Sequence, residues 1–199
     1  MYVSKAKLQE LISENKLIIR PLLDQGKQVG EISIDFRLGT DFLVSFQGRE
    51  AFIDVSGGAD SKSVRYFFLP TRRRFGDTFL LHPNQTVLCS SLEYIKMPDN
   101  IFAELSMRSS YARLGLSLST IVHAGYCGCF SIELTNTNNN PIKIRVGARI
   151  FQARFFEINE NTHYNHNSRK YVCQVRPIVS RAEQDKDLNF LKMSFEEEE

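Results

Sequence analysis

Eleven glycines and six prolines in 199 residues are too few for a collagen-like, low-complexity or disordered chain. Four cysteines, Cys89, Cys127, Cys129 and Cys173, are too few and too scattered for a disulfide scaffold, and in a reducing compartment they are expected as small buried hydrophobes. No stretch approaches the roughly 18 consecutive apolar residues of a membrane helix, and the opening MYVSKAKLQE has no apolar signal-peptide core. A cytoplasmic protein with no membrane partner is therefore expected. Neither H-x-E with P-C-x-x-C nor H-E-x-x-H occurs, and His82, His123, His163 and His166 are dispersed, which sets zinc hydrolysis aside. Walker A, G-x-G-x-x-G and G-x-S-x-G are missing too. The net charge is only +2. Without the terminal acidic run Glu196 to Glu199 it is about +6, enough for a small polyanion and too little for a nucleic-acid-binding surface.

What is present is a chain of 22.9 kDa, long enough to bury one sizeable core, so one barrel domain over 1–159 is expected, followed by an arm over 160–199. Residues 4–14 carry the one helical pattern, with Ser4 as N-cap, Leu8, Leu11 and Ile12 on one face, and Val3 placed to staple onto Leu8. Leu17 to Pro21 reads as a short extended piece, and the stretch to Gly30 as polar loop. From Glu31 to Leu38 apolar and polar residues alternate with period 2, a half-buried strand. The rhythm predicts further strands at 41–46, 51–55, 65–69, 78–81, 86–91, 92–96, 130–135, 142–146 and 148–156, separated by turn-forming clusters. Many short strands without a fixed repeat mean a sandwich, jelly roll or closed barrel. Residues 161–170 are nearly devoid of apolar side chains, so 160–199 reads as an arm ordered by contact or ligand.

Arg108-Ser109-Ser110 groups a guanidinium, two hydroxyls and backbone N–H groups, the donors an oligophosphate attracts. On a helical turn Ser109 and Arg113 face the same way. Glu133 interrupts the apolar strand 130–134 on one face with Ser131. Buried there it would titrate in the range useful for acid/base work, with Arg113 as the obvious partner. The bland alternatives are a solvated helix start and a structural salt bridge. Cys127 and Cys129 stand at strand spacing and share a face, where core packing outweighs a metal or redox role. Arg72-Arg73-Arg74 reads as a solvated turn.

Taken together, MPDN at 97–100, RSSYARLGL at 108–116, AGYCGCFSIELTN at 124–136 and PIKIRVGARIFQARF at 141–155 resemble dCTP deaminases of the dUTPase-like superfamily. SIDFRLGTDFLV at 33–44, KYVCQ at 170–174 and Ser180-Arg181 extend the likeness over residues 4–181. The resemblance implies a mainly β fold, a distorted jelly-roll or β-barrel with a short N-terminal helix, assembling as a homotrimer with sites between subunits. It implies Glu133 as general acid/base, Arg113 as the group polarising the reacting centre, and Ser109 orienting water or ammonia. Arg108, Ser109 and Ser110 would touch phosphates, His123 and Tyr126 belong to the substrate-binding set, and Lys170, Tyr171 and Gln174 would close over the nucleotide. Mg2+ would arrive with the triphosphate, no protein-bound metal being implied, and the ligand would be dCTP, with dUTP or dTTP as alternatives. Val122-His123-Ala124-Gly125 replaces the family's usual isoleucine-aspartate-proline-glycine, and the stretch from Leu116 to Val122, read as a loop, is a few residues shorter. A neutral histidine is a poor substitute for an anionic base, which weakens dUTP hydrolysis more than deamination. A dUTP diphosphatase, a bifunctional deaminase/dUTPase and a non-catalytic nucleotide-binding regulator are the competing readings.

Overall fold

The computed structural model describes residues 1–46, 52–55, 62–162, 171 and 173–184. Its elements in chain order are α1 (Lys5–Ser13), β1 (Ile18–Arg20), α2 (Gln25–Gln28), β2 (Ser33–Ser45), β3 (Phe68–Arg72), β4 (Thr78–Leu81), β5 (Thr86–Lys96) and β6 (Ile101–Met107). After these come α3 (Ser109–Ala112), β7 (Leu116–Ser117), β8 (Ser119–Val122), β9 (Cys127–Asn136), β10 (Ile142–Arg145) and β11 (Arg149–Glu157). None of the described helices is long and apolar enough to cross a membrane.

Every strand pairing is antiparallel, and one sheet runs in the order β7-β9-β5-β2-β11-β6-β8, with β1 added on β5 and β3 on β2. β2 makes the turn of the barrel. Its first half pairs with β11 through Ser33 to Arg37, and its second half crosses to β5 through Phe42 to Val44. Gly39 sits at the crossing, where an added Cβ would meet the Ser90 carbonyl at 2.7 Å and the Ser91 carbonyl at 2.9 Å. The sheet curls until its two ends, β7 and β8, are joined in the chain by Leu118 alone. The result is a nearly closed barrel.

Apolar side chains from both halves fill the interior. Phe36 meets Phe130 edge-on at 4.8 Å and stacks on Phe151 at 5.7 Å, and Phe42 stacks on Phe79 at 4.3 Å to bring the β4–β10 ribbon onto the barrel. α1 covers one end: the Ser4 hydroxyl accepts from the Lys7 N–H at 3.4 Å, and Val3, Leu8 and Leu11 are buried as the helical spacing predicts.

Several predicted pieces are joined or displaced. The strands predicted at 31–38 and 41–46 are one strand, β2, and those at 86–91 and 92–96 are one strand, β5, whose register on β9 shifts between Ser90 and Tyr94. A bulge lets a strand bend without ending, so each half keeps its own alternation. Val64–Phe67 is a 3₁₀ turn leading into β3, and α2 interrupts the predicted loop before Gly30, its N-cap Asp24 accepting from Lys27. Of the strand predicted at 51–55, residues 52–55 form no strand and residue 51 lies outside the described residues. Arg72, Arg73 and Arg74 are exposed, Arg72 closing β3.

Candidate active site

The last strands of the barrel leave one edge uncovered. β7 pairs with β9 only at Asn136 and Thr135, so Ser131 and Glu133 have β5 on one side and no described strand on the other. Alternation along β9 sends Phe130, Ile132 and Leu134 into the core and Ser131 and Glu133 to the opposite face. β8, held by β6, stands across the gap, and its Thr120 hydroxyl donates to Glu133 Oε2 at 2.9 Å. The predicted loop from Leu116 to Val122 is therefore β7 and β8, because Thr120 and Val122 pair along β6.

A cavity of about 760 Å³ fills this gap. Thr120, His123, Ser131 and Glu133 line it from the barrel, with Tyr126 and Phe130 at its base and Tyr171, Gln174, Ile178 and Ser180 from the arm. The arm is fastened by main chain. The Cys129 N–H donates to the Gln174 carbonyl at 2.6 Å, so residue 174 takes the place of the missing strand neighbour of β9. Gly128 makes room for it: its φ is +141°, and an added Cβ would lie 2.5 Å from the Gln174 carbonyl oxygen. Tyr126 is buried, stacks on Phe130 at 6.0 Å, and donates its hydroxyl to the Cys129 carbonyl at 2.6 Å. Tyr171 accepts from the Arg181 N–H at 2.8 Å with the Arg181 guanidinium 5.8 Å from its ring centre. Further on, Glu183 accepts from the Val64 N–H at 3.2 Å.

Gln174 is only 5% exposed, and its Nε2 has no hydrogen-bond partner among the described residues. A buried amide donor left unsatisfied beside a cavity is what a ligand acceptor would complete.

The predicted residues separate into two groups. His123, Tyr126, Glu133, Tyr171 and Gln174 share the cavity, whereas Arg108, Ser109, Ser110 and Arg113 are absent from its walls. Arg108 Nε lies 3.0 Å from Asp35 Oδ2, and its Nη1 donates to the Arg149 carbonyl at 3.0 Å. Burial pushes the Asp35 carboxyl up, against the pull of Arg108 and then Arg149. Ser109 and Ser110 open α3, exposed, and the Arg113 N–H donates to the Ser109 carbonyl at 3.1 Å, so the predicted helical turn is present. Two expectations are corrected. Glu133 is exposed to the cavity rather than buried, since β7 is too short to cover it, and it forms no ion pair with Arg113 within the chain. Cys127 and Cys173 are not buried hydrophobes either, because the arm brings their sulfurs within 2.6 Å of each other. Lys170 lies outside the described residues. Thr120 was not singled out by its spacing, although Ser119-Thr120-Ile121-Val122 ends in a β-branched run that signals a strand.

Known proteins place the chain. A family model described as dCTP deaminase-like matches residues 2–158. A protein of Dictyoglomus thermophilum named "dCTP deaminase, dUMP-forming" is 33% identical over 192 residues, covering 91% of this chain and 94% of its own length. One of the same name from Persephonella marina is 34% identical over 189 residues, covering 94% of this chain and 100% of its own. A "dCTP deaminase" of Natronomonas pharaonis is 32% identical over 197 residues, covering 94% and 97%. Among solved structures, the 2'-deoxycytidine 5'-triphosphate deaminase of Agrobacterium tumefaciens shares the fold, with a TM-score of 0.58 at 22% identity over 77% of this chain, which spans 46% of that longer one. The barrel, its arm-covered cavity and these matches along nearly the whole sequence lead to one conclusion: this chain belongs to the dCTP deaminase-like family.

Proposed function

We propose that the protein hydrolyses dCTP at C4 of the cytosine, giving dUTP and ammonia, with Glu133 as the acid/base group and no protein-bound metal. The observation that carries this reading is the cavity itself. Within a family matched by deaminases, it brings a carboxylate on β9, a hydroxyl on β8 and an unsatisfied buried amide on the arm to one space. Glu133 takes the proton of a water that attacks C4, and returns it to the amino group as ammonia leaves. Thr120 fixes the carboxylate by donating to one of its oxygens, leaving the other for water. Gln174 Nε2 supplies a donor for a base or sugar acceptor. Mg2+ enters with the triphosphate as part of the substrate. Arg113 polarises the reacting centre, and Arg108, Ser109 and Ser110 hold phosphates, in this reading from a neighbouring protomer.

Incubating the protein with dCTP and Mg2+, and following ammonia, dUTP, dUMP and pyrophosphate together, tests the assignment. Glu133→Gln is expected to lower the rate by about 10²-fold or more while leaving the fold intact, because the side chain is exposed. An unchanged rate would remove Glu133 from the mechanism. A second reading has support of its own: relatives from Dictyoglomus and Persephonella are named dUMP-forming. Pyrophosphate and dUMP appearing with the ammonia would assign it here, with His123, on the cavity wall, as the neighbour of the departing phosphates.

A further inference from the structure

Among the side-chain pairs that join the arm to the barrel, one consists of two thiols, whose chemistry the proposed reaction does not use. Cys127 opens β9 half-buried, Cys173 precedes the seated Gln174 and is exposed, and their sulfurs are 2.6 Å apart. Cys173 has a φ of 53°, a turn that few non-glycine residues adopt and that immediately precedes the residue held by Cys129. The other two cysteines stand apart. Burial pushes the Cys89 thiol far up and the Cys129 thiol up to about 11, so neither ionises readily. Among the described residues no cluster of three His, Cys, Asp or Glu side chains forms, as a structural zinc site would require.

We propose that Cys127 and Cys173 form a dithiol–disulfide site, oxidised by a low-molecular-weight disulfide such as glutathione disulfide, which fastens the arm across the mouth of the cavity. A covalent S–S bond is about 2.05 Å long, so the sulfurs have roughly half an ångström left to close. Cys173 is exposed and Cys127 half-buried, so a small disulfide can reach the pair from solvent. One of the two cysteines, as thiolate, attacks one sulfur of the small disulfide and expels one thiolate, leaving a mixed disulfide. The other cysteine then loses its proton and displaces the second thiolate. Two protein thiols are oxidised, the small disulfide is reduced to two thiols, and the two cysteine protons end on them. In a reducing compartment such a bond is transient, which suits a switch rather than a structural staple.

The reduced full-length chain, incubated with glutathione disulfide and digested without reductant, gives a direct reading by mass spectrometry. A peptide pair joined through Cys127 and Cys173 is expected, with the intact chain lighter by about 2 Da, two thiols lost and no glutathione retained. Cys173→Ser is expected to abolish the joined pair and keep one glutathione on Cys127. Glutathione retained on the wild-type chain without the joined pair, or a bond between Cys127 and Cys129, would overturn the site. The fastening has its own reading, which rests on the proposed function: the oxidised protein should exchange bound dCTP about tenfold more slowly or less, and dithiothreitol should restore the rate. Equal rates in both forms would overturn the fastening, whereas a chain that binds no dCTP in either form would instead count against the proposed function. The peptide mapping is independent of both.

Discussion

Glu93 is the carboxylate on which burial acts most strongly among the described residues. Its side chain is wholly buried, accepting from Gln28 Nε2 at 3.1 Å and from the Arg37 N–H at 2.9 Å, with Arg37 Nε 3.9 Å away. Burial pushes its pKa up to about 7 in spite of these partners. An acid whose folded pKa exceeds its unfolded one is protonated in both states at low pH, so charge burial costs nothing there. The cost appears as pH climbs above about 4.5 and is complete above about 7. Stability should therefore fall across that window by on the order of 3 kcal/mol. Glu93→Gln, which cannot ionise, should flatten the slope, and urea midpoints taken at about pH 5 and about pH 8 measure it. A variant with the wild-type slope would show that another group governs the window.

At the scale of elements, the crossing of β2 from β11 to β5 depends on a residue without a side chain. Gly39→Ala places a methyl 2.7 Å from the Ser90 carbonyl, and neither backbone can retreat without loosening a strand pair. The expected loss is about 2 to 4 kcal/mol, read as a lower urea midpoint, whereas Gly76→Ala, with open space around the added carbon but a φ of +83°, should cost less. Bulges also explain what the sequence reveals and what it conceals. Alternation identifies the strands at 78–81, 130–135 and 142–146 because no irregularity interrupts them. It misjudges β5, where the register shift after Ser90 puts Ser90 and Ser91 both inside and turns Glu93 inward. β6 carries the same alternation, with Ile101, Ala103, Leu105 and Met107 all buried, but lies directly between the turn at Pro98 to Asn100 and the Arg108-Ser109-Ser110 run, and the predicted strands do not include it. Within the candidate site, Glu133, His123, Tyr126, Tyr171 and Gln174 are recognisable from motif order. The Thr120 hydrogen bond and the uncovered edge of β9 depend on how far β7 extends, which no local pattern encodes.

Across the whole molecule, the Arg108-Ser109-Ser110 run and the cavity occupy separate places on one chain. The proposed reaction needs them together, so under that proposal a second copy brings Arg113 to Glu133, as a homotrimer would allow. Light scattering should then give three times the 22.9 kDa of one chain. Mixing offers a sharper test. Glu133→Gln and Arg113→Ala should each be inactive as pure assemblies. After subunit exchange in equal amounts, about a quarter of the interfaces would join an intact Glu133 to an intact Arg113. Activity near that fraction supports shared sites, and a mixture as silent as its parents argues for sites within single chains.

The arm is anchored next to Gly128 by its own backbone, through a carbonyl that every amino acid possesses. At this point attachment and recognition are uncoupled: the barrel holds residue 174 whatever side chain it carries. Mutation can exchange the side chain that overlooks the cavity there without first rebuilding the scaffold. A lineage can thus alter its preference among nucleotides by small, separately tolerable steps.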